Sequence, residues 1–242
     1  SLYARGDIRD VYAEIVADSG ESRITFVLVA NPRLTTVLFE GSKLVPEVEL
    51  AAVFDSLRGR VMKTGEVEDA LEQVLRLYRA RGYSLARIDT VLFNEPAGTF
   101  RVRVNEGIIH ALGVDGGVRT RDPFILREFP LAAGDAFQID KARKGITNIS
   151  STTLFEYVYL EVSYDAGRPV VTIRLKERPS QLVRFGLRAD NERKLQGLID
   201  IRDENFQGSG MELGLTIAGG ERNLDAVIEY KARRLFDTYL SF

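Results

Sequence analysis

The sequence predicts an α+β protein built from tandem β-α-α-β-β modules that are followed by antiparallel strands. Two observations predict the modules: a repeat of nearly constant length, and helical and strand periodicities that occur in the same order in each copy. A third observation, the strict alternation of apolar and polar residues after residue 180, predicts the closing strands.

The composition excludes several classes of site. Lys and Arg total 33 against 35 Asp and Glu, and this balance argues against a nucleic-acid partner, which needs a basic surface. The chain has no cysteine, so disulfides and thiolate metal sites are excluded. Its single histidine, His110, rules out a histidine-based metal cluster. We therefore expect no metal and no cofactor.

The repeat follows from the spacing of equivalent residues. Tyr3 and Tyr78 are 75 positions apart, as are Gly41 and Gly116, and Gly107 precedes Pro179 by 72. These spacings divide the chain into four parts: the last two strands of a first module (1–34), two complete modules (35–107 and 108–179), and a run of strands (180–242). Because the chain begins at Ser1 without a methionine, we expect a longer natural protein.

The first complete module follows the predicted order of elements. Its first strand is predicted over 35–41, and Pro46 suits the first position of a helix. The apolar face of that helix is predicted to comprise Leu50, Val53, Phe54 and Leu57. Thr64 is predicted to cap a second helix that stops at Gly82. Strands are then predicted over 85–93 and 99–105, joined by a turn at 94–98.

The next module repeats this order. Asp122 is predicted as a helix cap, with Pro123 at the first helical position. Helical spacing returns in Ile139, Ala142, Ile146 and Ile149. The two closing strands are predicted over 155–164 and 169–176.

Beyond residue 180 the pattern indicates four amphipathic strands. Val183, Phe185 and Leu187 alternate with polar residues, and so do residues 211–218 and 224–231, whereas Leu198 breaks the alternation of 195–203. Strands of about 9–11 residues with one apolar face are typical of a transmembrane barrel, although a soluble sheet with one wet face has the same period. A fifth strand is predicted to start over 237–242. A closed barrel needs about eight strands, so we expect the protein to continue beyond Phe242.

The order and spacing of these elements resemble the POTRA (polypeptide-transport-associated) domain. The resemblance rests on four sequence segments, at 36–41, 77–83, 134–137 and 153–158. The turn at 205–210 resembles a hairpin turn early in the barrel of the BamA/TamA-like outer-membrane superfamily. The resemblance therefore implies POTRA modules followed by the first strands of an incomplete transmembrane β-barrel.

The resemblance implies a periplasmic region of an outer-membrane protein of a Gram-negative-type bacterium, which assembles or translocates polypeptides. Its partners would be extended outer-membrane or secreted polypeptides, periplasmic accessory proteins and outer-membrane lipid. Gly208-Ser209-Gly210 lacks the G-x-S-x-G spacing of a nucleophile elbow, so no enzyme is predicted within this chain. Two alternatives stay open: the secretion part of a patatin-like lipase, and a two-partner secretion transporter.

In the family, the strand after the second helix lies at the sheet edge and accepts an extended peptide by β-augmentation. The corresponding residues here are Leu85, Arg87, Asp89, Phe155, Tyr157 and Tyr159. We expect Phe155, Tyr157 and Tyr159 to form an aromatic row on the face away from the helices, while Val158, Leu160 and Val162 face the helices. The row is predicted to contact clients, or to pack on a neighbouring module or the barrel rim; simple strand propensity is the alternative explanation.

Overall fold

The computed structural model describes residues 8–18, 21–190, 194–220 and 223–232, and it confirms the α+β fold class. Contacts divide the chain into two units, one comprising 1–108 with 136–138 and the other comprising 109–135 with 139–242. Both units contain a three-stranded sheet with helices against one face. The exact domain boundaries stay a prediction.

The described elements follow in this order. The strands are β1 (Ile8–Asp18), β2 (Glu21–Ala30), β3 (Thr36–Glu40), β4 (Arg87–Asn94), β5 (Thr99–Asn105), β6 (Ala111–Asp115), β7 (Phe155–Asp165), β8 (Arg168–Glu177), β9 (Gln181–Asp190), β10 (Lys194–Phe206), β11 (Met211–Gly220) and β12 (Leu224–Ala232). The helices are α1 (Glu47–Ala52), α2 (Thr64–Ala80), α3 (Asp122–Leu126) and α4 (Ile139–Ser150).

The first complete module, referred to below as module A (35–107), has the strand order β3-β5-β4, with β3 parallel and β4 antiparallel to β5. The alternation of β5 explains its central position, because Phe100, Val102 and Val104 are buried while the arginines between them are exposed. Helix α2 covers this face with Ala70, Val74 and Tyr78. The core of module A thus lies between the sheet and its two helices.

Three details of the helices of module A differ from the prediction. Pro46 precedes α1 at the capping position and is not its first helical residue, which is Glu47. Thr64 is the first residue of α2 and not its cap, since Lys63 holds the extended conformation that precedes the helix. The first helix also ends at Ala52, and a separate 3₁₀ turn over Asp55–Leu57 follows it. Leu50 and Phe54 are buried nevertheless, so the predicted apolar face still packs into the core.

The second complete module, module B (108–179), has the same topology. Its strand order is β6-β8-β7, again with the first strand parallel and the second antiparallel to the third. Its buried side chains include Ile125, Ile149 and Ile173. Asp122 is the first residue of α3 and Pro123 the second, while Arg121 holds the capping position without a side-chain capping hydrogen bond, so the predicted cap and first helical position are each wrong by one residue.

The amino-terminal strands β1 and β2 form an antiparallel hairpin. The sequence predicts two closing strands in this region, and their origin in an earlier module stays a prediction. The segment 2–6, which carries one end of the predicted repeat, lies outside the described residues.

The last four strands form one antiparallel sheet in the order β12-β11-β10-β9. One face is apolar and exposed, as Phe185 at 78% and Leu187 at 84% exposure illustrate. The opposite face carries Asp200, buried and bonded to Thr216, and Arg202, which donates to Glu229 over 2.8 Å. Leu198 lies on this polar face, which explains the break in alternation. The predicted fifth strand (237–242) lies outside the described residues.

Candidate functional site

Strands β4 and β7 lie at an edge of their sheets, as the resemblance implies. Each pairs on one side only within the part of the chain that the structure describes, β4 with β5 and β7 with β8. Leu85 is an exception to the predicted site, because it lies in the turn before β4 and not in the strand. Arg87 and Asp89 lie within β4, and Phe155, Tyr157 and Tyr159 lie within β7.

The edge of β4 is short and irregular. Its pairing with β5 shifts register between Ile88 and Thr90, so Asp89 sits in a bulge. The Asp89 carboxylate accepts hydrogen bonds from Arg87 Nε at 2.7 Å and Asn105 Nδ2 at 3.3 Å. Bulges and charged side chains are typical means of blocking an edge strand. Only 90–94 keep a regular ladder, which leaves little edge for a client.

The edge of β7 is longer and more regular. Its register is continuous from Tyr157 to Asp165. A shift between Phe155 and Tyr157 turns Phe155 towards the helices, where it is 4% exposed, so the predicted aromatic row loses this member. Tyr157 and Tyr159 stay exposed on the outer face, with ring centroids 6.0 Å apart.

The turn after β7 fixes which backbone groups point outward. Ala166 and Gly167 both have positive φ, 46° and 77°, as a type I′ turn requires, and Asp165 pairs with Arg168 across it. This pair exchanges hydrogen bonds, and bonded pairs alternate along an antiparallel ladder. The N–H and C=O groups of Val158, Leu160 and Val162 therefore point away from β8. Their side chains are half-buried on the helix side, as predicted.

Ion pairs cover the outer face beside the two tyrosines. Arg174 of β8 bonds Asp115 and Glu161, and Lys176 bonds Glu156 at 2.6 Å. These pairs link all three strands of the sheet. Since the charges are satisfied locally, the tyrosine rings form the apolar part of this face.

Sequence reasoning missed two carboxylates, each of which stabilises a loop within its own module. Glu106, 6% exposed, accepts hydrogen bonds from the backbone N–H groups of Lys43 and Leu44 at 2.7 Å and from the Tyr78 hydroxyl at 3.0 Å. Burial, together with the Glu106 charge, raises the pKa of Tyr78. The signal that could have found Glu106 is a glutamate at the end of the last strand in both modules.

Glu177 takes the same place in module B. It accepts hydrogen bonds from the backbone N–H groups of Val118, Arg119 and Thr120. Burial opposes ionisation of this carboxyl, but the bonds from Thr120, Arg119 and Val118 outweigh it, so the pKa of Glu177 is lowered. In both modules a carboxylate thus holds the loop that follows the first strand.

No cluster of His, Cys, Asp and Glu suited to a metal occurs among the described residues. No described helix has the length and apolar character needed to cross a bilayer. Gly208-Ser209-Gly210 lies in the turn between β10 and β11, and Ser209 donates to the carbonyl of Phe206 at 2.7 Å. What the candidate site can do is hydrogen-bond an extended backbone along β7.

Comparison with known proteins confirms the predicted resemblance to POTRA modules followed by barrel strands. Residues 33–107 match the model of the POTRA domain, ShlB-type. Over 206 residues the chain is 22% identical to the outer membrane protein assembly factor BamA of Neorickettsia risticii, covering 81% of this chain and 28% of that protein. The chain therefore spans less than a third of the length of this relative.

Two solved structures share the fold. POTRA1-3 of the periplasmic domain of Omp85 from Anabaena has a TM-score of 0.63 at 21% identity, over 73% of this chain and 78% of that one. BamA from Haemophilus ducreyi lacking POTRA domains 1-3 has a TM-score of 0.52 at 20% identity, over 87% of this chain and 41% of that one. The second likeness extends into the strands after residue 180.

Proposed function

We propose that this chain is the periplasmic POTRA region, together with the first barrel strands, of an outer-membrane protein that assembles or translocates polypeptides. In this proposal, clients bind as an added strand along β7. The single observation that carries it is the regular edge of β7, from which three consecutive outward positions offer N–H and C=O groups.

Backbone pairing suits a protein with many clients, because it gives affinity without reading a sequence. The outward groups of Val158, Leu160 and Val162 provide up to six hydrogen bonds, each contributing on the order of 0.5–1.5 kcal/mol. Their sum is comparable to the cost of association, about 4–15 kcal/mol. We therefore expect weak, reversible capture that depends on apolar contacts of the client with Tyr157 and Tyr159.

The sheet after residue 180 supports the proposed location. Its exposed apolar face, which includes Phe185 and Leu187, suits the lipid of an outer membrane, and its polar face suits a barrel interior. The modules would then lie in the periplasm. The curated relative, an outer membrane protein assembly factor, agrees with this location.

The test is the binding of a fluorescent peptide, corresponding to a single barrel strand, measured by anisotropy. Val162→Pro removes an outward N–H, while the ladder to β8 keeps its hydrogen bonds. The matched control, Val162→Ala, shortens the same side chain and keeps the N–H. We expect Val162→Pro to weaken binding at least several-fold more than Val162→Ala. Equal affinities of the two variants would refute capture at this edge.

A further inference from the structure

The loop that follows β6 contacts the turn between β10 and β11 at several points. Asn205, 3% exposed, donates from Nδ2 to the Thr120 hydroxyl over 2.8 Å, and its Oδ1 accepts from the backbone N–H of Gly210 over 2.8 Å. The backbone N–H of Arg121 donates to the carbonyl of Gly208 over 2.9 Å. The bonds of Thr120 with Asn205 and of Arg121 with Gly208 join module B to the four-stranded sheet.

Steric fit strengthens this joint. Gly208 and Gly210 have positive φ, 70° and 68°, and a Cβ on either would overlap its neighbour in module B: the carbonyl of Arg119 for Gly208, the ring of Phe124 for Gly210. Arg119 adds bonds to Ser180 and Asp203, each at 2.9 Å. The turn therefore lies in direct backbone contact with the module.

The repeat shows that this contact surface is particular to module B. An offset of 75 residues aligns the modules here: Leu50 and Ile125 are both 0% exposed, and α1 and α3 begin at Glu47 and Asp122. By the same offset Thr120 replaces the buried Val45, and Phe124 replaces the exposed Glu49. Thr120 and Phe124, whose side chains contact the turn, thus lie at positions where the two modules differ.

We propose that residues 119–124 are a docking face for the turn 205–210, and that Thr120 and Asn205 are positioning residues which hold module B and the sheet as one body. A client strand on β7 is then held at a fixed distance from the ends of β9–β12, which suits transfer of a strand to a barrel. That consequence rests on the proposed function, whereas the joint itself does not.

The test measures the distance between spin labels in the intact protein in lipid. The chain has no cysteine, so Lys144→Cys on α4 and Ala226→Cys on β12, both exposed, give one label on each side of the joint. We expect one narrow distance distribution, which broadens in Thr120→Val and broadens further in Asn205→Ala. Thr120→Val is the cleaner variant because module A folds with valine at the equivalent position.

Ser209→Ala is the matched control, since the Ser209 hydroxyl bonds within its own turn. It should leave the distribution narrow. The proposal is overturned if the unsubstituted protein gives a broad distribution, if Thr120→Val and Asn205→Ala leave it narrow, or if Ser209→Ala broadens it equally. Peptide affinity of Thr120→Val, measured as above, should be unchanged. If Thr120→Val lost peptide affinity while its spin-label distances stayed narrowly distributed, the result would count against the proposed function and not against the joint.

Discussion

Modules A and B have one topology but different edges and helices. Both order their strands first-third-second, and both place a register shift early in the edge strand, at Ile88/Thr90 in module A and Phe155/Tyr157 in module B. Yet β4 has 8 residues and β7 has 11, whereas α2 has 17 and α4 only 12. Module A thus has the longer helix, and module B has the longer accepting edge.

The comparison teaches which features the fold requires and which are free to vary. Each module keeps a glutamate at the end of its last strand, Glu106 or Glu177, that binds the loop after the first strand. Each also keeps a glycine, Gly41 or Gly116, at the end of the first strand with positive φ. The edge strand and the docking loop, by contrast, differ between the modules, and these are the parts for which we propose functions.

The largest expected effect distinguishes the two glutamates. Glu106→Ala leaves two backbone N–H groups and the Tyr78 hydroxyl without their acceptor in a buried site, so it should cost about 4 kcal/mol of the free energy of unfolding. Glu177 is less buried, and water can replace part of its role, so Glu177→Ala should cost about 2 kcal/mol. Urea denaturation measures both. A larger loss of the free energy of unfolding in Glu177→Ala than in Glu106→Ala would contradict this prediction.

The two glycines should behave alike. An alanine Cβ at Gly41 or Gly116 would overlap the carbonyl of the facing strand, at Val104 or Leu175. We expect each Gly→Ala variant to cost about 3 kcal/mol, from positive φ together with overpacking. Gly59 and Gly134 also have positive φ but nothing within 4 Å, so Gly59→Ala and Gly134→Ala are controls that should cost only about 1 kcal/mol. Equal losses in all four would disprove the steric explanation.

Acid should weaken module B through Glu177. Its pKa is lowered in the folded protein, so the ionised carboxyl stabilises the fold above its ordinary pKa of about 4.3. This stabilisation is lost as the pH falls through the lower folded value. Glu177→Gln should therefore be about 1 kcal/mol less stable than the unsubstituted protein at pH 7, with the difference closing in strong acid. A difference that does not change with pH would contradict this linkage.

The smallest effect on stability is expected at the tyrosine pair. Tyr157 and Tyr159 are about half exposed, so replacing both with Ser should change the free energy of unfolding by less than about 0.5–1 kcal/mol. The affinity for a strand peptide should nevertheless fall several-fold, because their rings provide apolar contact beside the edge. Unchanged anisotropy titrations would refute client contact by these two residues.

Periodicity was sufficient to predict the order of the elements, because it reports burial directly. The edge position of β4 and β7, by contrast, was implied by the resemblance to the POTRA domain. It could not predict that Phe155 points inward, since a bulge after it breaks the period of two on which the aromatic row was based. The prediction for Leu85 was wrong because periodicity does not define the first residue of a strand, and β4 begins only at Arg87. Glu106 and Asn205 bond residues 63 and 85 positions away, and local patterns carry no information on such distant partners.

The most direct test of capture along β7 is amide hydrogen exchange of this strand, with and without a bound strand peptide. The account predicts an alternating result: the outward N–H groups of Val158, Leu160 and Val162 exchange fast in the free protein and become protected on binding. Those of Tyr159 and Glu161, already bonded to β8, should change little. Peptide binding without new protection at the three outward positions would contradict the account.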